Sequence, residues 1–148
     1  VRILTVGRLT EQKRYDVAID AMALLKKTSP VPVRWYVLGE GALREQLERQ
    51  IQKLGLEKEF HLLGIKANPF PYYRGCDLYV HATGYEGKSI AIQEAQILGK
   101  PILATDCSGN REQIEPNVDG RLCRLDSQSV SNEILWMIAH PDRCKAYE

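Results

Sequence analysis

Short runs rich in valine, leucine and isoleucine alternate along this chain with longer stretches whose apolar residues recur every three or four positions. The first run, VRILTVG at 1–7, reads as a strand. YDVAIDAMALLKK at 15–27 follows as a helix with a broad apolar face of Val17, Ala18, Ala21, Met22, Leu24 and Leu25. Further strands are expected at 33–41, 60–64, 77–83 and 101–106, with a sixth at 119–123. Helices are expected at 42–56, 89–100 and 127–139, and a short helix or turn at 71–76. In the second helix Leu43, Leu47, Ile51 and Leu54 form one stripe, and Gly55 supplies a C-cap. The helix at 89–100 is apolar enough to be expected mostly buried.

Strand and helix alternating through short glycine-containing links predict an α/β domain. Its form would be a doubly wound, Rossmann-like parallel sheet of about six strands with helices on both faces. The strands are near-continuous apolar runs, as burial on both faces requires. With 148 residues and no internal repeat or low-complexity linker, 1–148 reads as a single domain. In such sheets ligands bind beyond the carboxyl ends of the strands, near the point where strand order reverses. The segments that follow the strands are GRLTEQK, GEG, GIKAN, TGYEGKS and DCSGNRE, which gather glycines and charges on that edge.

Composition narrows the function. A net charge of +1 offers no strongly basic face for nucleic acid. No apolar run approaches the roughly 20 residues that would span a bilayer. Cys76, Cys107, Cys123 and Cys144 form no C-x-x-C pair, so free thiols are expected and no metal site. The chain enters its first apolar run at Val1 without an initiator Met, which predicts a piece of a longer protein.

The densest chemistry lies in YEGKSIAIQEAQILGKP at 85–101. Ser89 is a natural N-cap, so the amides around Gly87, Lys88, Ser89 and Ile90 would form an anion site at a helix N-terminus. Glu86 stands just before the cap, and Glu94 follows five residues after it, ~7.5 Å along the helix axis. A diphosphate at the terminus could then carry one hydroxyl-rich group to each carboxylate, the layout of a nucleotide sugar. Taken alone, Glu86 reads equally as a loop charge and Glu94 as a helix-surface residue. After the first strand, Gly7 permits a sharp turn, and Arg8 and Lys13 are either cations at the mouth of the site or solvated surface charges. No G-K-[S/T] follows that glycine, and GEGALR at 39–44 lacks the third glycine of a dinucleotide fingerprint.

These residues resemble a known family. EGKSIAIQEA, with seven residues between its glutamates, resembles the E-x7-E signature of retaining glycosyltransferases of the B-type fold, in the family-four group. VGRLTEQKR is similar to the family's G-R-L-x-x-x-K-G, VLGEGALREQLE to its G-x-G segment, and FHLLG to its F-x-G strand. YYRGCDLYVHAT, GKPILATDCSGNREQI and DGRL match three further segments in the family's order. The likeness covers essentially the whole chain.

The resemblance implies the donor-binding half of a two-domain enzyme, whose N-terminal acceptor domain lies outside this sequence. The full enzyme would transfer a hexosyl group from a UDP- or GDP-linked sugar to an acceptor hydroxyl with retention, using no metal ion and no cofactor. The isolated piece would be inactive. Arg8 and Lys13 would hold the diphosphate and Glu86 the transferred sugar, these three being the expected catalytic set. Gly7, Gly39, Gly64, Ile65, Gly87, Lys88, Ser89, Ile90 and Glu94 would bind the rest of the donor, with Glu94 on the ribose. A cytoplasmic enzyme of polysaccharide assembly is expected, with peripheral membrane contact through the missing half.

The chain departs from the pattern at Lys88 and Ser89, where the family commonly has E-G-F-G, at Arg14, where glycine is usual, and at His81, where proline or serine is usual. His81, at the end of the fourth predicted strand, reads as structural. The rival readings are a nucleotide-sugar epimerase or another B-type enzyme, and a nucleotide-binding or receiver-like module without activity. A receiver would need an acidic pair after its first strand, where this chain has Arg8 and Lys13.

Overall fold

The first strand, β1 (Arg2–Val6), pairs in parallel with β2 (Arg34–Leu38) on one side and β4 (Leu78–His81) on the other. With β3 (Phe60–Leu62), β5 (Ile102–Thr105) and β6 (Arg121–Cys123) the order is β3-β2-β1-β4-β5-β6, every neighbouring pair parallel. The structure is a computed structural model and describes residues 1–145. The order reverses between β1 and β4, the switch point at which a doubly wound sheet opens a crevice.

Alternation along the strands divides the core into two layers. Ile3, Trp35, Val37, Leu78, Val80 and Leu103 pack with residues of α1 (Tyr15–Thr28), α2 (Arg44–Lys53) and α6 (Ser127–Ala139). Leu4, Leu38, Tyr79, Ile102 and Ala104 face the other way, against α3 (Phe70–Gly75) and α4 (Ile90–Ile97). One buried polar thread crosses the centre of the sheet. Trp35 Nε1 donates to Thr5 Oγ1 at 3.0 Å, and Thr5 Oγ1 donates to the Val80 carbonyl at 2.6 Å. The thread joins β2, β1 and β4 and satisfies polar atoms that burial would otherwise penalise.

Every predicted strand and helix is present, within a few residues of its expected bounds. The structure adds a 3-10 turn at Glu11–Lys13, a short α5 (Ser108–Gln113) and α7 (Pro141–Lys145). These pieces are too short to show periodicity. The expectation that the helix at 89–100 is mostly buried is corrected. Only Ile92 and Ala95 of α4 are buried, while Ile90 and Ile97 are 71% and 80% exposed. A two-turn helix lying on a sheet with no further layer above it buries one stripe, whatever its composition. The four cysteines are free.

Arg14 joins the 3-10 turn to α1 with φ 44° and ψ 48°, in the left-handed region that disfavours a Cβ. That explains the glycine expected there from the resemblance. Its guanidinium bonds the exposed Asp16 at 3.1 and 3.2 Å, a weak compensation at the surface. Arg14→Gly should therefore raise the unfolding free energy by about 0.5–1 kcal/mol. Urea titration of the two forms would measure it.

Candidate functional site

Glycines bring the ends of the first three strands into near contact. Gly7 N donates to the Leu38 carbonyl at 2.9 Å, and Gly39 N to the Gly64 carbonyl at 3.0 Å. Gly39 has φ +154°, and a Cβ there would stand 2.0 Å from the Gly7 carbonyl oxygen, so only glycine fits. The Gly39 amide is thus engaged in holding the edge together. Gly64 and the 77% exposed Ile65 follow on that same edge.

Across the switch point, the segment after β1 is stitched to the segment after β4. Gly84 N donates to the Gln12 carbonyl at 2.8 Å, and Gln12 Nε2 donates to the Tyr85 carbonyl at 2.9 Å. These bonds carry Lys13 onto Glu86. Lys13 Nζ lies 2.8 Å from Glu86 Oε2, and His81 Nε2 lies 2.9 Å from the same oxygen. Behind the ring, the buried Tyr79 hydroxyl sits 3.1 Å from His81 Nδ1 and 3.3 Å from the Val6 carbonyl, and it accepts from Val6 N at 3.3 Å. Among the described residues nothing bonds Glu86 Oε1. From below, Gly109 supports this loop so closely that a Cβ would stand 1.9 Å from the Glu86 carbonyl oxygen.

The electrostatics follow from these contacts. The hydrogen bond from His81, then Lys13, hold the Glu86 carboxyl down at about 2 against the opposing effect of burial. His81 is displaced downward chiefly by its own burial, which disfavours the imidazolium. At neutral pH the cluster therefore consists of one ammonium, one carboxylate and one neutral ring.

Glu86 leads into α4. Ser89 Oγ caps the helix by accepting from Ile92 N at 3.2 Å, as its sequence position predicts. The Ser89 amide is not available to a ligand, however. Gln113 holds both ends of that residue, its Oε1 accepting from Ser89 N at 2.8 Å and its Nε2 donating to Ser89 O at 2.9 Å. The amides of Lys88, Ile90 and Ala91 have no partner among the described residues and remain open at the positive end of the helix. Glu94 lies one turn on, beside Tyr73, whose hydroxyl donates to the Ala91 carbonyl at 3.1 Å. Burial and then the Glu94 charge push the Tyr73 phenol upward. The Arg8 side chain is exposed and has no partner among the described residues.

Of the expected residues, the structure thus joins Lys13 and Glu86 directly and sets the α4 terminus, with Gly87 and Lys88, beside them. Arg8, Gly64 and Ile65 line the same edge without touching that pair. Gln113, Gly109 and Tyr79 are not singled out by the sequence, and the only signal of the first two there is their place in the GKPILATDCSGNREQI segment.

The profile of the family described as glycosyl transferases group 1 matches residues 1–148. The chain belongs to that family. N-acetylgalactosamine-N,N'-diacetylbacillosaminyl-diphospho-undecaprenol 4-alpha-N-acetylgalactosaminyltransferase of Campylobacter jejuni is 32% identical over 148 residues, covering 99% of this chain and 40% of its own length. Poly(ribitol-phosphate) alpha-N-acetylglucosaminyltransferase of Staphylococcus aureus is 29% identical over 135 residues, 90% of this chain and 27% of its own. This member therefore spans less than half the length of the curated relatives it matches. Anabaena HepE, solved in complex with UDP-glucose, superposes with a TM-score of 0.91 at 28% identity, covering 99% of this chain and 41% of that one.

Two predictions follow from the geometry. Glu86 titrates near 2 in the fold against an ordinary 4.5, so its pairing stabilises the protein above pH 4.5 and is lost as the pH falls toward 2. The amount is about 1–2 kcal/mol, allowing for partial exposure. His81 acts in the same direction, because the unfolded chain takes up a proton below 6.5 that the buried ring resists. Urea unfolding from pH 7 to pH 3 should show falling stability, and Glu86→Gln should flatten the curve below pH 4.5. Gly109→Ala should cost about 1–3 kcal/mol, since the backbone facing its Cβ must move. The same denaturation assay measures it.

Proposed function

We propose that this chain is the donor-binding domain of a two-domain glycosyltransferase that transfers a hexosyl group from a UDP-linked sugar to an acceptor hydroxyl. The observation that carries the reading is the junction at the switch point. There an ammonium, a carboxylate with one oxygen free of protein partners, and the unpaired amides of a helix N-terminus meet within one edge of the sheet. A diphosphate matches the cation and the helix terminus, and a sugar hydroxyl matches the carboxylate. The uridine choice draws on HepE, which was solved with UDP-glucose.

In this reading Lys13 leaves Glu86 for the diphosphate when donor binds, and Arg8 reaches it from the segment after β1. Their charges and the Lys88, Ile90 and Ala91 amides stabilise the negative charge that grows on the departing diphosphate, without a metal ion. Glu86 Oε1 accepts from the transferred sugar and orients its anomeric carbon so that the acceptor oxygen bonds on the face from which the diphosphate departs, the acceptor proton leaving with the diphosphate, and configuration is retained. Glu94 accepts from the ribose. No helix is long and apolar enough to cross a membrane among the described residues. The exposed Ile65, Tyr85 and Ile90 along this edge support an acceptor domain packing over the site, in keeping with the greater length of the relatives.

Calorimetric titration with UDP, GDP and ADP, with and without EDTA, tests the proposal. UDP should bind with the same affinity in both conditions. Lys13→Ala and Glu94→Gln should each weaken it about 10-fold to 100-fold, the worth of a charge-assisted hydrogen bond. Binding that vanishes with EDTA, or is indifferent to both changes, would count against it.

A further inference from the structure

Lys13 and His81 meet Glu86 on a single oxygen, and they differ in what donor binding would do to them. Lys13 is at the rim of the crevice, with 18% of its side chain exposed, and a flexible four-carbon stem lets it turn toward a phosphate. His81 is 1% exposed, ends β4, and cannot move without the strand. We propose that His81 is the positioning residue of the donor site. It holds Glu86 Oε2 in the free and the occupied state alike, so that Oε1 always faces the sugar.

The hydrogen-bond inventory specifies how. A carboxylate only accepts, so His81 Nε2 carries the proton in that contact. The neutral ring then has a bare Nδ1, which at 3.1 Å is a nearer acceptor for the Tyr79 hydroxyl than the Val6 carbonyl at 3.3 Å. Tyr79 is in turn seated by Val6 N, which donates to its oxygen at 3.3 Å, and by complete burial. The tautomer is thus written into the β1–β4 pairing at the core. Tyr79 keeps Nδ1 occupied, Nε2–H points at Glu86, and the carboxylate retains a partner when Lys13 turns away. No other side chain bonds Glu86 among the described residues. The role belongs to His81 alone within this site, and it separates recognition of the sugar from recognition of the nucleotide.

The inference rests on the donor-site reading above, and its test keeps the two apart. UDP and UDP-glucose are titrated into the wild-type chain and into His81→Ala, His81→Gln, Tyr79→Phe and Glu86→Ala, with a thermal melt of each. His81→Ala should lower UDP-glucose affinity at least 10-fold and leave UDP affinity within about twofold. His81→Gln should recover most of the loss, since its amide can donate to the same oxygen. Tyr79→Phe, which keeps the ring, should show a smaller loss confined to the sugar-bearing ligand, and it serves if the alanine variant fails to fold. In the Glu86→Ala background the His81 change should add nothing. Nitrogen NMR of the free wild-type chain should show His81 as the Nε2–H tautomer.

A His81→Ala effect equal on both ligands, absent from both, or not rescued by glutamine would overturn the positioning role while leaving nucleotide binding intact. An Nδ1–H tautomer in the wild type would do the same. A wild-type chain that binds neither ligand would overturn the donor-site reading, and this one with it.

Discussion

Parallel pairing of β1 with β2 on one side and β4 on the other is the constraint on which the remainder depends. In a parallel sheet every strand ends at the same edge, and every connection to the following helix starts there. Because the order reverses beside β1, the connections after β1 and β4 have no strand between them and can touch. That is how Lys13 and Glu86, 73 residues apart in sequence, come to 2.8 Å. The Thr5 thread from Trp35 to Val80 ties β2 and β4 to β1 through groups that would be costly to bury unpaired, which holds the register beneath the site.

At the crevice itself, backbone proximity and charge act together. Gly7 and Gly39 approach so closely that no side chain could intervene, and Gly109 does the same beneath Glu86. The edge is thereby lined by main chain and by a few long side chains. The resting site neutralises itself, with the lysine charge set against the carboxylate and the histidine ring uncharged. Such an arrangement keeps a half-buried carboxylate ionised and placed, and leaves the ammonium free to exchange one anionic partner for another. A ligand bearing a diphosphate and a sugar can take over both halves of that pair.

The departures from the family pattern have distinct structural meanings. Arg14 takes a left-handed backbone that favours glycine, so the turn that delivers Lys13 is made at the expense of strain. Lys88 is an exposed side chain just before the capped start of α4, and the cap survives because Ser89 supplies it.

By itself the amino-acid sequence determined the element order, the parallel α/β class, the capped helix after Glu86 and the glycine-rich edge. Each of these is written in local periodicity, cap residues and turn chemistry within a few positions. It could also place Glu86, Lys13 and the α4 terminus on one edge, because parallel topology leaves no alternative. Only the tertiary structure decided which atoms meet. Gln113 takes the Ser89 amide from 24 residues away, and Gln12 and Gly84 close the crevice across 72. His81 turns from an unremarkable strand end into the partner of Glu86, with Tyr79, two residues earlier on the same face, against its other nitrogen. The burial of α4 departs from the expectation of its sequence for the same reason. How much of a helix is covered depends on what lies above it, and that is a property of the assembled layers and not of the segment.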